Sequence, residues 1–141
     1  VLRTMGPALL SGLQASADAE WVCLQYGDVT QALQEAAAAG LKLHYWKEAI
    51  DNLDEFAALV SALDLVITVC NTTVHYAGAV GKDVWVMSPK VPEWRYGLRF
   101  ESMPWYPSSR MFRQREDGDW DGVLADVGRE LSSRYGAPAG A

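Results

Sequence analysis

"LDLVITVCNTTVHYAGAVGKDVWVMSP", residues 63–89, sets the architecture of this chain. Its first part, "LDLVITVC" (63–70), is nearly continuous in apolar and β-branched residues. That is the composition of a parallel strand covered on both faces. "KDVWVMSP" (82–89) is a second buried run, and "NTTVHYAGAVG" (71–81) between them reads as a short helix. Strand, helix and strand in that order form a βαβ unit, whose right-handed crossover lays the two strands parallel.

Working outward, the same alternation continues. "EWVCLQ" (20–25) and "LKLHYW" (41–46) read as strands, separated by a helix over "DVTQALQEAAAAG" (28–40). Asp28 sits at its start and Gly40 at its end, the residue types that cap and stop a helix. "NLDEFAALVSALD" (52–64) carries Leu53, Phe56, Ala57, Val60 and Leu63 on one helical stripe. "SSRMFRQ" (108–114) is a last strand and "GDWDGVLADVGRELSSRY" (118–135) a closing amphipathic helix. "PWYP" (104–107) reads as a rigid turn, because each proline fixes its own φ and restricts the residue before it. Trp94, Trp105 and Trp120 read as core and loop packing, with Trp94 and Arg95 as the alternative lining of a cleft. The fold class is therefore α/β: a Rossmann-like parallel sheet flanked by helices over residues 1–135, followed by a flexible tail, 136–141. The stretch "TMGPALLSGLQAS" (4–16) reads as a helix with no strand before it, which implies a sheet lacking its first strand.

Composition narrows the function. Twelve Lys and Arg against eighteen Asp and Glu give a net charge of −6, which repels phosphate backbones at long range and argues against nucleic acid. Basic residues in "RMFRQR" (110–115) remain a spot for a small anion. Cys23 and Cys70 each lie in an apolar run, as buried reduced thiols do, and two His without CxxC or HExxH spacing give no metal site. Asp64 interrupts the longest apolar stretch, so no membrane span is expected. The opening "VLRTMGPALL" lacks a signal-peptide h-region, which leaves a cytoplasmic location as the expectation.

Ligands of open parallel sheets sit beyond the carboxyl ends of the strands. Cys70 and Asn71 fall at such an end. With Asn71 as a cap, Thr72 and Thr73 occupy the first helical turn, where N–H groups lack intrahelical partners and the dipole is positive. Such a turn suits a diphosphate, and His75 lies on the same side as Thr72. Val74, Ala77, Gly78 and Gly81 fall on the other side, small enough for close packing on a sheet. Asn-Thr-Thr is equally an ordinary helix start, and periodicity leaves the two readings open. The absence of GxGxxG argues against a dinucleotide oxidoreductase.

The run "AIDNLDEFAALVSALDLVITVCNTTVHYAGAVGKDVWVMSP" (49–89) resembles the C-terminal half of glycosyltransferases of the ADP-heptose:lipopolysaccharide heptosyltransferase family. It is most similar to the bacterial glycosyltransferase-like domains that follow tetratricopeptide repeats. The matching residues are Asp64 to Ile67, then Cys70, Asn71, Thr72, His75, "AGAVGK" (77–82) and "VWVMSP" (84–89), with "VPEWRYG" (91–97) and "MPWYPSSRMFRQREDGDWDGVL" (103–124) fitting the repeat-associated subgroup.

The resemblance implies the nucleotide-sugar-binding C-terminal domain of a GT-B fold, which transfers a sugar with inversion to an unknown acceptor and needs no metal or cofactor. Asn71, Thr72, Thr73 and His75 inherit the role of facing the donor diphosphate. Gln25, Tyr26, Tyr45 and Trp46 would line the nucleoside, and Cys70, Ser88, Lys90, Trp94 and Arg95 the remaining walls. The general base would lie in an N-terminal acceptor domain outside this chain, so the fragment is expected to be inactive alone. Repeats of the same protein are an implied partner, and a second copy could pair through an exposed sheet edge. Cys70 stands where many members carry Asp. That departure keeps a second reading in play: a catalytically degenerate domain serving as a protein-interaction module.

Overall fold

The computed structural model describes residues 7–136. They form two compact units, one spanning Lys47–Asp119 and one made of 7–46 together with 120–136.

The Lys47–Asp119 unit is built on a three-stranded parallel sheet in the order β1 (Val66–Val69), β2 (Val84–Ser88), β3 (Ser109–Arg113). Val66 pairs with Val84 and Val84 with Ser109, and the register runs on to Ser88 opposite Arg113. Parallel pairing is what the sequence led us to expect of 63–70 and 82–89, with each strand trimmed by one to three residues at its ends. Every residue of β2 is buried, as a central strand with two covered faces requires.

Two longer helices flank the β1–β2 region. α1 (Leu53–Ala62) is capped by Asn52, whose Oδ1 accepts from the N–H groups of Asp54 and Glu55 at 3.0 and 3.1 Å. It buries Phe56 and Val60, whereas Leu53 of the expected stripe is 69% exposed. Leu53 is the first helical residue. α2 (Thr72–Ala79) is the crossover between β1 and β2. Its Val74 and Ala77 are fully buried, as their spacing foretold.

Gly78 and Gly81 do something other than meet the sheet. Gly78 lies under the ring of Tyr106, where an added Cβ would sit 2.2 Å from Cγ. Gly81, at φ +70, is the left-handed residue that ends α2. Its N–H donates to the carbonyl of Gly78, and the Lys82 N–H donates back to Ala77 at 2.9 Å, the paired bonds of a Schellman stop.

Between β2 and β3 a 3-10 turn, Trp94–Tyr96, buries Tyr96 and leaves Trp94 80% exposed. Trp105 is likewise 58% exposed, with its Nε1 donating to the Arg95 carbonyl. Neither is core; the core tryptophan of this unit is Trp85 on β2. The "PWYP" turn is tight: Met103 and Tyr106 form a bridge, and the Ser109 hydroxyl both accepts from the Met103 N–H and donates to the Tyr106 carbonyl at 2.7 Å.

In the other unit, α3 (Pro7–Gln14) packs against both α4 (Thr30–Ala38) and α5 (Trp120–Tyr135), and two extended segments complete it. These are the stretches 20–25 and 41–46, which do not become full strands. They meet in one parallel bridge, Val22 with His44, held by Cys23 N–H to the His44 carbonyl and His44 N–H to that of Trp21 at 2.9 and 2.8 Å. The flanking residues Trp21, Cys23, Leu24, Leu43 and Tyr45 are only half-buried, and Glu20 and Gln25 at the ends are exposed. Helix α4 begins two residues after Asp28, which still serves its entry: its Oδ1 accepts from the Thr30 N–H at 3.0 Å, and that bond holds its carboxyl below the usual range. Gly40 ends it with the same left-handed stop as Gly81. The expected tail beyond Gly136 and the start of the 4–16 helix lie outside the described residues.

Cys23 and Cys70 are thiols outside any disulfide and are half-buried rather than enclosed. Burial pushes the Cys23 thiol up, opposed more weakly by its backbone hydrogen bond with Gln25. A raised pKa leaves less thiolate at neutral pH. Iodoacetamide should therefore alkylate Cys23 in the folded chain several-fold more slowly than a cysteine in an unstructured peptide at pH 7.5, with the gap closing as pH rises. Peptide mass spectrometry over time checks this; equal rates at pH 7.5 would contradict it.

Candidate site at the carboxyl edge of the sheet

β1 ends at Val69, and the chain turns through Cys70 into α2. Asn71 is the cap, with extended backbone (φ −149, ψ −173), and its Oδ1 accepts from the Thr73 N–H at 3.0 Å and from the Thr68 hydroxyl at 3.2 Å. Capping thus uses one of the donors that the helix start would offer a ligand. Thr72 keeps its own: it is exposed, and neither its N–H nor its hydroxyl has a partner among the described residues. The hydroxyl of Thr73 is equally uncommitted there.

One turn on, the half-buried His75 ring is held between two tyrosines. Its Nδ1 hydrogen-bonds the Tyr106 hydroxyl at 3.2 Å, the two rings meeting edge to face at 5.7 Å, and Tyr96 lies tilted at 6.3 Å. With the phenol as donor, the imidazole carries its proton on Nε2. Tyr96 also reaches back to the Asn71 carbonyl, a long contact of 3.5 Å. His75 is thus braced by the segment after β2 and by the "PWYP" turn.

At the ends of the neighbouring strands, the buried Ser88 hydroxyl donates to the Pro89 carbonyl at 2.9 Å, and Cys70 Sγ lies 3.9 Å from the Met87 carbonyl. Lys90 pairs with Glu116 at 2.8 Å, and that partner raises its pKa. Arg95 pairs with Glu93 at 2.6 Å. Both cations assigned to neutralising phosphate therefore already hold a carboxylate. Asn71, Thr72, Thr73, His75, Cys70, Ser88, Lys90, Trp94 and Arg95 all belong to the Lys47–Asp119 unit.

The nucleoside candidates Gln25, Tyr26, Tyr45 and Trp46 belong to the other unit. Tyr26 is 82% exposed; Trp46 is partly exposed and stacks on His44 at 5.6 Å with the rings parallel to within 4°. His44 in turn meets Glu20 at 2.8 Å. Directly after Trp46 the chain forms a helical turn, Lys47–Asp51.

Sequence reasoning missed Tyr96 and Tyr106, and it reached Arg113 only as one of the basic residues of 110–115 suited to a small anion. A signal for Arg113 existed: parallel pairing of 108–114 beside 82–89 carries the basic run to the carboxyl edge. The tyrosines carried none, since only tertiary folding brings them to His75.

The fold defines a class, an α/β domain with helices flanking a parallel sheet whose strands end in a polar edge. Among known proteins, the chain is 36% identical over 115 residues to protein FlbA of Caulobacter vibrioides, an alignment covering 79% of this chain and 19% of that protein. The chain thus spans less than a fifth of the curated relative it matches. No protein-family model and no solved structure matches it. Among the described residues no helix is long and apolar enough to cross a membrane, and no cluster of three or more His, Cys, Asp or Glu could hold a metal.

Proposed function

We propose that this chain is the donor-binding domain of an inverting GT-B glycosyltransferase and takes the diphosphate of a nucleotide sugar at the start of α2. The observation that carries this reading is the capped helix start at the end of β1, where the Thr72 N–H and both threonine hydroxyls are uncommitted among the described residues. The resemblance of 49–89 to heptosyltransferase-like domains supports it. In transfer, the leaving diphosphate gains negative charge, and donors fixed before the reaction stabilise that charge without reorganising. The acceptor proton goes to a base on another domain, so this chain alone binds donor and does not turn it over.

Isothermal titration with UDP, ADP and GDP tests the proposal. At least one nucleotide should bind saturably, and the Thr72→Ala/Thr73→Ala pair should weaken it at least tenfold, since hydrogen bonds to charged groups contribute about 1.5–3 kcal/mol each. A second reading, an interaction module without donor chemistry, draws on Lys90 and Arg95 being already neutralised and on Cys70. Failure of all three nucleotides to bind the folded chain selects it.

A further inference from the structure

Arg113 is the last residue of β3 and stands in register with Ser88, the last of β2. Its Nη2 donates to the carbonyls of Tyr96 and Phe100 at 2.8 and 3.2 Å, and its Nη1 lies 3.5 Å from the Ser88 hydroxyl. A guanidinium has five N–H donors. These contacts engage three, leaving Nε–H and one Nη1–H. No carboxylate pairs with Arg113 among the described residues, and burial pushes the pKa of its guanidinium down. Its situation is the reverse of that of Lys90 and Arg95, each neutralised at the same edge. A cation held half-buried by carbonyl dipoles alone has lost water without gaining a counter-charge. Its fixed planar fork matches two oxygens of a phosphate.

We infer that Arg113 is the cation of this edge that binds the diphosphate, while its bonds to Tyr96 and Phe100 hold the fork in place. The inference rests on the donor-site reading for the identity of the ligand, but the charge argument needs only an anion. The sequence-based candidates for that task, Lys90 and Arg95, then serve as pairing residues of the wall rather than as ligands.

The test uses this chain with two probes, inorganic pyrophosphate and the nucleoside diphosphates UDP, ADP and GDP, at two salt concentrations. Arg113→Gln keeps donors for the carbonyls and removes the charge; Arg113→Lys keeps the charge and removes the fork. Pyrophosphate affinity should fall about tenfold in Arg113→Gln and less in Arg113→Lys. Its dependence on salt should flatten in Arg113→Gln only. Equal losses in both variants with unchanged salt dependence would mean a brace and overturn the inference. So would wild-type affinity in Arg113→Gln, or failure of the wild-type chain to bind any probe. Pyrophosphate binding that depends on Arg113 without any nucleotide binding supports this inference and removes the nucleotide-sugar reading. Nucleotide binding lost in the threonine variant but intact in Arg113→Gln does the opposite. Should Arg113→Gln not give the amide spectrum of a folded chain, Arg113→Lys decides: a several-fold loss supports the inference, and unchanged affinity overturns it.

Discussion

Trp85→Ala destabilises the Lys47–Asp119 unit by about 3–5 kcal/mol, the usual cost of deleting a fully buried large aromatic side chain. Trp85 lies in the middle of β2, 1% exposed, with Val84 and Val86 beside it at 0%. Its ring meets Phe112 of β3 at 5.3 Å. The indole therefore ties the central strand to β3 as well as filling the core, and a methyl in its place leaves a void that a regular parallel ladder cannot collapse to fill. A domain of this size is stable by only about 5–15 kcal/mol in total, so the substitution removes a large share. Urea denaturation followed by tyrosine fluorescence and far-UV circular dichroism measures it. A loss below about 1 kcal/mol would mean that Trp85 is not the packing centre of the sheet.

Gly78→Ala lowers stability even though it replaces the second-worst helix former with the best. In an open helix that exchange gains about 0.8–1 kcal/mol. Here the new methyl would meet Tyr106 Cγ at 2.2 Å and both Cδ atoms at 2.5 and 2.6 Å. Cγ is the ring atom nearest the tyrosine backbone, so the ring cannot swing clear without shifting the tight 103–109 turn. Overpacking of that kind costs about 1–3 kcal/mol, and displacing Tyr106 also breaks its bond to His75, worth about 1 kcal/mol more. The net effect is a loss of about 1–3 kcal/mol, summed from those terms. On a Tyr106→Ala background the clash is gone, and Gly78→Ala should become stabilising by up to about 1 kcal/mol. That reversal of sign in a double-mutant cycle isolates the Gly78–Tyr106 contact. Gly78→Ala stabilising in both backgrounds would contradict the packing described.

These two residues mark how far the sequence could be read. β2 was legible because a nearly continuous apolar run rich in valine admits few alternatives, and its parallel pairing with β1 followed from the single helix between them. The start of α2 was legible because a cap is a local matter: Asn71 needs only its own next two residues. Gly78 was read as a small residue facing the sheet; its partner is instead a tyrosine 28 positions on, brought there by the "PWYP" turn. Trp94 and Trp105 show the limit of composition, since a tryptophan's preference for burial yields when a short 3-10 turn points it outward. The stretches 20–25 and 41–46 have strand composition but only half-buried surroundings, and one bridge is what that environment sustains. In the candidate site, the types at 71–75 announced a helix start suited to an anion. Which cations remained free to meet that anion depended on Glu93 and Glu116, and no spacing in the sequence reveals those pairings.

The central claim is that a diphosphate binds at the start of α2. An amide-resolved ¹H–¹⁵N titration of the chain with UDP, ADP and GDP tests it most directly. The account predicts saturable shifts largest at Thr72 and Thr73 and extending to Cys70, His75 and Arg113, with the Thr72 N–H moving downfield as it gains an anionic acceptor. A folded chain whose Thr72 and Thr73 amides stay still under saturating nucleotide, or whose shifts fall elsewhere, would contradict it.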